Sequence, residues 1–367
     1  MTAAGVDVGP GESGVGRSRA VHVVLPWDID DPAHPSGGNR YDRRVCDGLR
    51  DLGWQVREVV VPGGWPDPDA AALDRLDAHL GGVPDGEVVL VDGLIASVAP
   101  LLVSQARRLR IVVLMHLPFG DGAGLGADPR EAAVLDSAAA VIATSTWTSD
   151  RLRARYPLRH DAVRVVAPGV DPVSAVPSSG AANRLLSVGV VAPHKGHDVL
   201  IDALGRLADL PWECTIVGAT TQDPDFVADL HDRAATAGIA DRLDWSGPLT
   251  GAELDSAYST ADLLVSATRH ETYGMVLTEA LARGIPVVVS DVGGVREAVG
   301  HGPHGTVPAM LVPPDNPVAL ADTLRSWLTE PGLRDRLRAS AGYRRRALPS
   351  WQVTALRVDL VLSGVAR

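Results

Sequence analysis

The stretch Arg269-His270-Glu271-Thr272-Tyr273-Gly274-Met275-Val276-Leu277-Thr278-Glu279-Ala280-Leu281-Ala282-Arg283-Gly284-Ile285-Pro286 decides how the chain is read. It lies between two apolar, β-branched runs, Leu263–Ser266 and Val287–Ser290. Glu271 falls in the loop after the first run, and Gly274 allows a backbone angle and a close ligand approach that a side chain forbids. Met275–Arg283 is made of good helix formers and closes on Gly284, a helix-ending signal. Pro286 then opens the next strand. Strand, loop, helix and strand in that order form a unit of a parallel sheet. A helix starting near Gly274–Val276 presents free N–H groups and partial positive charge, which suit a phosphate. Glu279, one turn inside, is placed to accept both hydroxyls of a ribose. Glu271 is placed for the hydroxyls of a second sugar. Two carboxylates flanking an anion-binding helix end describe a site for a nucleoside-diphosphate sugar.

The same alternation extends outward in both directions. Toward the N-terminus, apolar runs at Val21–Leu25, Val56–Val61, Glu87–Val91, Ile111–Met115, Val141–Ala143 and Val163–Ala167 alternate with helical patterns such as Tyr41–Leu52 and Pro100–Leu109. Pro172–Asn183 (PVSAVPSSGAAN) has no period and reads as a linker. The alternation resumes at Leu185–Val188, Cys214–Val217, Leu243–Trp245, Leu263–Ser266, Val287–Ser290 and Met310–Val312. Ser350–Leu362 is amphipathic at helical spacing. Near-continuous apolar strands between helices imply parallel sheets covered on both faces. The predicted fold is α/β, with two doubly wound Rossmann-like domains facing a central cleft. The expected divisions are a flexible tail at 1–20, a first domain at 21–171, a linker at 172–183, a second domain at 184–348 and a terminal helix at 349–367.

A chain of 367 residues accommodates roughly two domains. Its composition, 46% hydrophobic and 22% charged, excludes a disordered or low-complexity protein. With 34 Lys+Arg against 45 Asp+Glu the net charge is −11, which argues against a general nucleic-acid binder and limits membrane contact to a peripheral one. Cys46 and Cys214 are too few for a disulfide framework or a cysteine-rich zinc site, and fit buried thiols in a reducing cytoplasm.

Two sets of motifs imitate chemistry. Gly11-Glu12-Ser13-Gly14-Val15-Gly16-Arg17-Ser18 nearly spells a P-loop, but Arg17 stands in place of lysine and no strand precedes it. The pairs Asp28/Asp30, Asp67/Asp69 and Asp223/Asp225 have metal-holding spacing. Pro68 and Pro224 mark two of them as turns, so no metal is expected.

The central block resembles the E-x7-E region of the retaining glycosyltransferases of family 4, which have a GT-B-type fold. Ser36-Gly37-Gly38 after the first strand resembles that family's glycine loop. Pro168-Gly169-Val170-Asp171, Ser187-Val188-Gly189 and His194-Lys195-Gly196-His197-Asp198 are similar to its segments around the domain boundary. The resemblance runs in order from Val21 to the C-terminus. It implies that Glu271 binds the transferred sugar, Gly274, Met275 and Val276 offer backbone N–H groups to the donor, and Glu279 binds the ribose. It further implies that Lys195 neutralises the diphosphate, Gly37 and Gly38 admit the phosphates, and His116 lies near the reacting carbon. The terminal helix around Trp351 would pack back on the first domain.

Val190 departs from the family's usual arginine. Arg184, His194, Arg269 or a residue of the first domain would have to supply the missing charge. The implied activity is metal-independent, cofactor-free transfer of a hexosyl group from a nucleotide-sugar donor, with retention, to an unidentified acceptor that is a small molecule, a glycan or lipid-linked. A sugar-nucleotide epimerase and a catalytically silent nucleotide-sugar-binding protein are the alternatives. Trp27, Trp65 and Phe119 are available to stack on an acceptor or to pack. Arg107, Arg108 and Arg110 read as a solvated helix end.

Overall fold

A computed structural model describes residues 19–119 and 128–366. The P-loop-like segment and nearly all of the expected tail lie outside the described residues. Two six-stranded, wholly parallel sheets form the frame. The first contains β1 (Ala20–Pro26), β2 (Gln55–Val61), β3 (Val88–Asp92), β4 (Arg110–Met115), β5 (Ala140–Ala143) and β6 (Val163–Val165), in the order β2-β1-β3-β4-β5-β6. The second contains β7 (Arg184–Val188), β8 (Glu213–Val217), β9 (Leu243–Gly247), β10 (Leu263–Ser266), β11 (Val287–Ser290) and β12 (Ala309–Val312), in the order β12-β11-β10-β7-β8-β9. The central strands are buried on both faces, as Val88–Asp92 and Val287–Ser290 are throughout. Helices on each face complete separate apolar cores in the two halves.

The winding reverses between β1 and β3 in the first sheet, and between β7 and β10 in the second. At such a point the neighbouring connections leave in opposite directions and open a crevice at the strands' carboxyl ends. The carboxyl end of β3 carries Asp92 to these crevices, and the segments after β1, β4, β7 and β10 carry Gly37, His116, Lys195 and Glu271 there.

Several elements depart from the sequence reading. The first helix starts at Gly37, four residues before the predicted Tyr41. The Ser36 hydroxyl caps it by accepting the Asn39 N–H. Gly37 and Gly38 are therefore its first turn and not a free loop. Of Pro100–Leu109, only Leu102–Gln105 forms an α-helical turn. The apparent linker is fastened to the second half. Asp262 accepts from the Ser179 N–H and hydroxyl, and Val176 N–H donates to the Arg283 carbonyl.

The Asp-x-Asp segments have local roles. Asp69 and Asp223 cap the helices Ala70–Gly81 and Pro224–Thr236, while Asp30 pairs with Arg43. Arg108 binds the Val83 carbonyl and Asp85, so it braces a turn and is not merely solvated. Trp65 packs inward and donates to the Val61 carbonyl, whereas Trp27 stays exposed. Cys46 and Cys214 are buried free thiols, each pushed up to about 12 chiefly by burial.

The chain crosses between the halves twice. The first crossing runs from β6 to β7. In the second, the chain leaves the Pro331–Ala347 helix and enters the Trp351–Val365 helix, which seats Val358 and Leu362 in the core of the first half. The crossings touch each other. Val170 N–H donates to the Pro349 carbonyl at 2.9 Å, and Val170 bridges to Ser350.

Candidate active site

Gly274 caps the Met275–Ala282 helix in the left-handed region, at φ +99°. A Cβ there would lie 2.7 Å from Leu277 Cδ1. The helix's first bond goes from Leu277 N–H to the Gly274 carbonyl, so the Met275 and Val276 N–H groups make no backbone bond among the described residues. This is a free, partly positive helix end.

The Glu271 loop beneath it is clamped from behind. Gly294 N–H donates to the Glu271 carbonyl at 3.0 Å. Gly293, at φ +55°, passes so close that a Cβ would lie 1.8 Å from the same oxygen. Sequence reasoning missed this glycine pair, although Gly293-Gly294 just after β11 was visible as a turn signal.

Lys195 ends a short 3-10 turn at Pro193–Lys195. Its Nζ lies 3.1 Å from Glu271 Oε2. The turn is held to the loop by Arg269 N–H donating to the His194 carbonyl at 2.8 Å. Glu271 and Lys195, which are 76 residues apart, therefore meet as an ion pair.

The two halves meet directly over this site. A Cβ on Gly37 would lie 3.5 Å from Met275 Sδ, and one on Gly38 would lie 3.3 Å from His116 Cδ2. The cleft thus collects Gly37, Gly38, His116, Lys195, Glu271, Gly274, Met275, Val276 and Glu279.

Glu279 has partners that the sequence reading missed. Its Oε1 accepts from Arg40 at 2.5 Å, and its Oε2 accepts from the buried Tyr258 hydroxyl at 2.9 Å. Arg40 also donates to Asp171 at 2.8 Å. It therefore ties the first helix to both the second half and the first crossing. Burial opposes the charge on Arg40, but Glu279 and Asp171 outweigh it and raise its pKa. Arg40→Ala is expected to lower Tm by a few degrees and to enlarge the radius of gyration measured by solution X-ray scattering. The pairs are partly solvated and contribute only about 1 kcal/mol of stability, yet they join two bodies. An unchanged radius would show that Arg40 does not brace the cleft.

The side chains that could replace the charge missing at Val190 have distinct environments. Arg269 is committed to Asp198, Asp315 and the Pro193 carbonyl. Arg184 opens β7 and so lies at the strand end opposite the cleft. Burial, reinforced by Lys195, lowers the pKa of His194 and disfavours its charged form. The first helix's Arg40 does carry its guanidinium to the second half's helix, at Glu279.

Under the first half's side of the cleft, Asp42, Asp92 and His116 converge, with one ligand-type atom from each lying within 4.8 Å of the others. His116 Nε2 is 2.7 Å from Asp42 Oδ1 and 3.6 Å from Asp92 Oδ2. Burial pushes Asp42 up to about 7. Burial, followed by the neighbouring Asp42 charge, raises Asp92 well above the usual carboxylate range. Burial lowers His116, against the opposing pull of Asp92.

Residues 175–344 match the family model described as "Glycosyl transferases group 1". A D-inositol 3-phosphate glycosyltransferase from Catenulispora acidiphila is 31% identical over 334 residues, 81% of this chain and 77% of that protein. The D-inositol 3-phosphate glycosyltransferase of Jonesia denitrificans is 32% identical over 61% of this chain and 57% of its own length. The mannosylfructose-phosphate synthase of Agrobacterium fabrum is 28% identical over 61% and 52%. The chain thus spans just over half the length of these last two relatives. Sucrose-phosphate synthase from Thermosynechococcus elongatus superposes with a TM-score of 0.77 at 21% identity, covering 94% of this chain and 98% of that one. Anabaena HepE in complex with UDP and glucose gives 0.74 at 18%, covering 94% and 99%. The fold is that of the GT-B glycosyltransferases, and by sequence the chain belongs to the group 1 glycosyl transferases.

Proposed function

We propose that this chain moves a hexosyl group from a nucleoside-diphosphate sugar to an acceptor hydroxyl, with retention at the anomeric carbon and without a metal, in a reducing cytoplasm. One observation carries the reading. The Glu271–Met275 turn, with its free helix end and its Lys195 partner, lies against Gly37 of the opposite half. No side chain on Gly37 or Gly38 fills the space between the two halves. A diphosphate lodged there would meet the Met275 and Val276 N–H groups and the Lys195 ammonium.

In this reading the bond from the anomeric carbon to the diphosphate oxygen breaks first. The helix end and Lys195 stabilise the charge that develops on the leaving oxygen, using dipoles and charge already in place. Glu271 holds the sugar's hydroxyls, and Glu279 holds the ribose. The leaving phosphate takes the proton of the incoming acceptor hydroxyl as the new bond forms on the same face. The two halves keep water from the donor. HepE, solved with UDP and glucose, supports a uridine donor as the first to try. The relatives named for inositol and sugar phosphates support phosphorylated polyols as acceptors.

The test incubates the chain with UDP-glucose, and then with other nucleotide hexoses, against such acceptors. Proton NMR reads the anomeric configuration of the product. An α-linked product from an α-donor is expected. A β-linked product overturns retention, and conversion of the donor without acceptor favours epimerisation. Donor binding without turnover against any acceptor leaves a silent binder.

A further inference from the structure

Asp42 and Asp92 have no role in the donor site as described, and their geometry beneath His116 is unusual. The Asp42 and Asp92 side chains are 1% and 5% exposed, while the imidazole above them is 22% exposed. The acids form the floor and His116 is the member that reaches the cleft. Asp92 Oδ1 accepts the Leu94 N–H at 2.6 Å. Asp42 Oδ2 is buried with no donor among the described residues. An oxygen of each carboxyl lies within 4.8 Å of one from the other, and two buried acids this close favour a proton on one of them.

Several groups bear on the cluster. Arg43 stands beside Asp42 on the first helix. Tyr41 meets His116 edge-on at 5.3 Å between ring centres and spends its hydroxyl proton on the Val166 carbonyl. Asp92 comes from β3 and His116 follows β4. Arg43 is bound to Asp30 and Glu58, so no guanidinium or ammonium pairs with the two acids among the described residues. Burial of two adjacent carboxylates is too costly for both to ionise.

We propose that Asp92 and Asp42 hold one proton between them and act as positioning residues for His116, with Asp42 accepting the Nε2 proton and leaving Nδ1 as the ring's hydrogen-bond acceptor at the cleft. The proton rests on Asp92 and points to Asp42, whose remaining charge draws the imidazole N–H. His116 is then held neutral, in one tautomer and one orientation, able to receive a hydroxyl of the sugar or of the acceptor. The catalytic consequence rests on the transferase reading above. The tautomer does not.

The experiment is long-range 1H–15N NMR of the full chain, labelled at histidine nitrogens, from pH 6 to 8.5, with His116 assigned by comparison with His116→Gln. The expected result is a neutral Nε2–H tautomer above pH 7. Asp42→Leu should give mixed tautomers, and Asp92→Asn, whose amide replaces the shared proton with an N–H, should preserve the single form. Turnover should follow. Asp42→Leu should lower kcat about 10- to 100-fold at little change in donor KM, and Asp92→Asn should stay within a few-fold of wild type. The wild-type rate should fall on the acid side as Asp42 takes up a proton near pH 7, and that limb should vanish in Asp42→Asn.

An Nδ1–H tautomer or an imidazolium at pH 8 in the wild type overturns the proposal. So does a wild-type tautomer pattern in a folded Asp42→Leu variant, or one equivalent of tightly bound divalent metal found by elemental analysis. The NMR measurement needs no turnover, so a chain without transferase activity and a chain with an unconstrained imidazole give different results.

Discussion

Lys195→Ala and Glu271→Ala are each expected to lower kcat by about 10²–10³ while leaving Tm within a degree or two. Removing one preorganised group from the point where charge develops has effects of that size in other enzymes. Here Lys195 is the ammonium beside the free Met275 helix end, and Glu271 sets its position from 3.1 Å. Stability barely changes, because the pair is partly solvated, with 26% of one side chain and 15% of the other exposed. Such pairs contribute about 0–1 kcal/mol. The two losses should not add. The double variant should be little worse than the worse single one, since each residue acts partly through the other. The measurement is steady-state kinetics on all three variants beside thermal melts. Near-normal kcat in both single variants would remove this site from the chemistry, and a collapse of Tm would make the pair structural.

Gly293→Ala should have the second large effect, and through backbone alone. The added methyl would lie 1.8 Å from the Glu271 carbonyl oxygen, at a φ of +55° that side chains rarely adopt. A backbone oxygen that also accepts from Gly294 N–H cannot swing aside like a side-chain tip. We expect a loss of about 2–3 kcal/mol, or roughly 4–10 °C in Tm. Folded protein should also lose about 100-fold in kcat, because Glu271 is displaced by an ångström or more. Gly238→Ala is the control. It sits at φ +67° with nothing within 4 Å of its Cβ, so it has the same backbone strain without the collision. It should lose stability modestly and keep its activity. Equal activity losses in the two variants would mean that strain, not the clamp on Glu271, is what matters.

Much of the frame was legible because strands buried on both faces announce themselves. All twelve apolar runs became strands, with ends moved by at most two residues. Helix starts were harder. Ser36-Gly37-Gly38 looks like a turn because glycine is a poor helix former, yet the Ser36 cap and the burial of Tyr41, Val45 and Leu49 carry the helix back to Gly37. The Glu271, Gly274 and Met275 arrangement was readable as one local strand–loop–helix unit.

What stayed hidden was long-range pairing between residues with ordinary local roles. Asp92 was not singled out in the sequence; it caps a short helix by accepting the Leu94 N–H. Nothing in the sequence places it beside Asp42, fifty residues earlier. Arg40 is one of several arginines on a polar helix, and its partner Glu279 lies 239 residues away. Val190 could be recognised as a departure, but its compensation depended on where Arg184, Arg269 and Arg40 end up in space.

The paired chain crossings have a mechanical consequence. A molecule whose halves are joined by one tether can swivel in any direction. Here two tethers lie side by side and are stitched together where Val170 meets Pro349 and Ser350. Twisting about the long axis would tear that stitch, whereas swinging about the line through it leaves the stitch intact. Any opening of the halves would therefore be confined to one angular coordinate, like a book on its spine, and closing would return Gly37 to the same place over Met275.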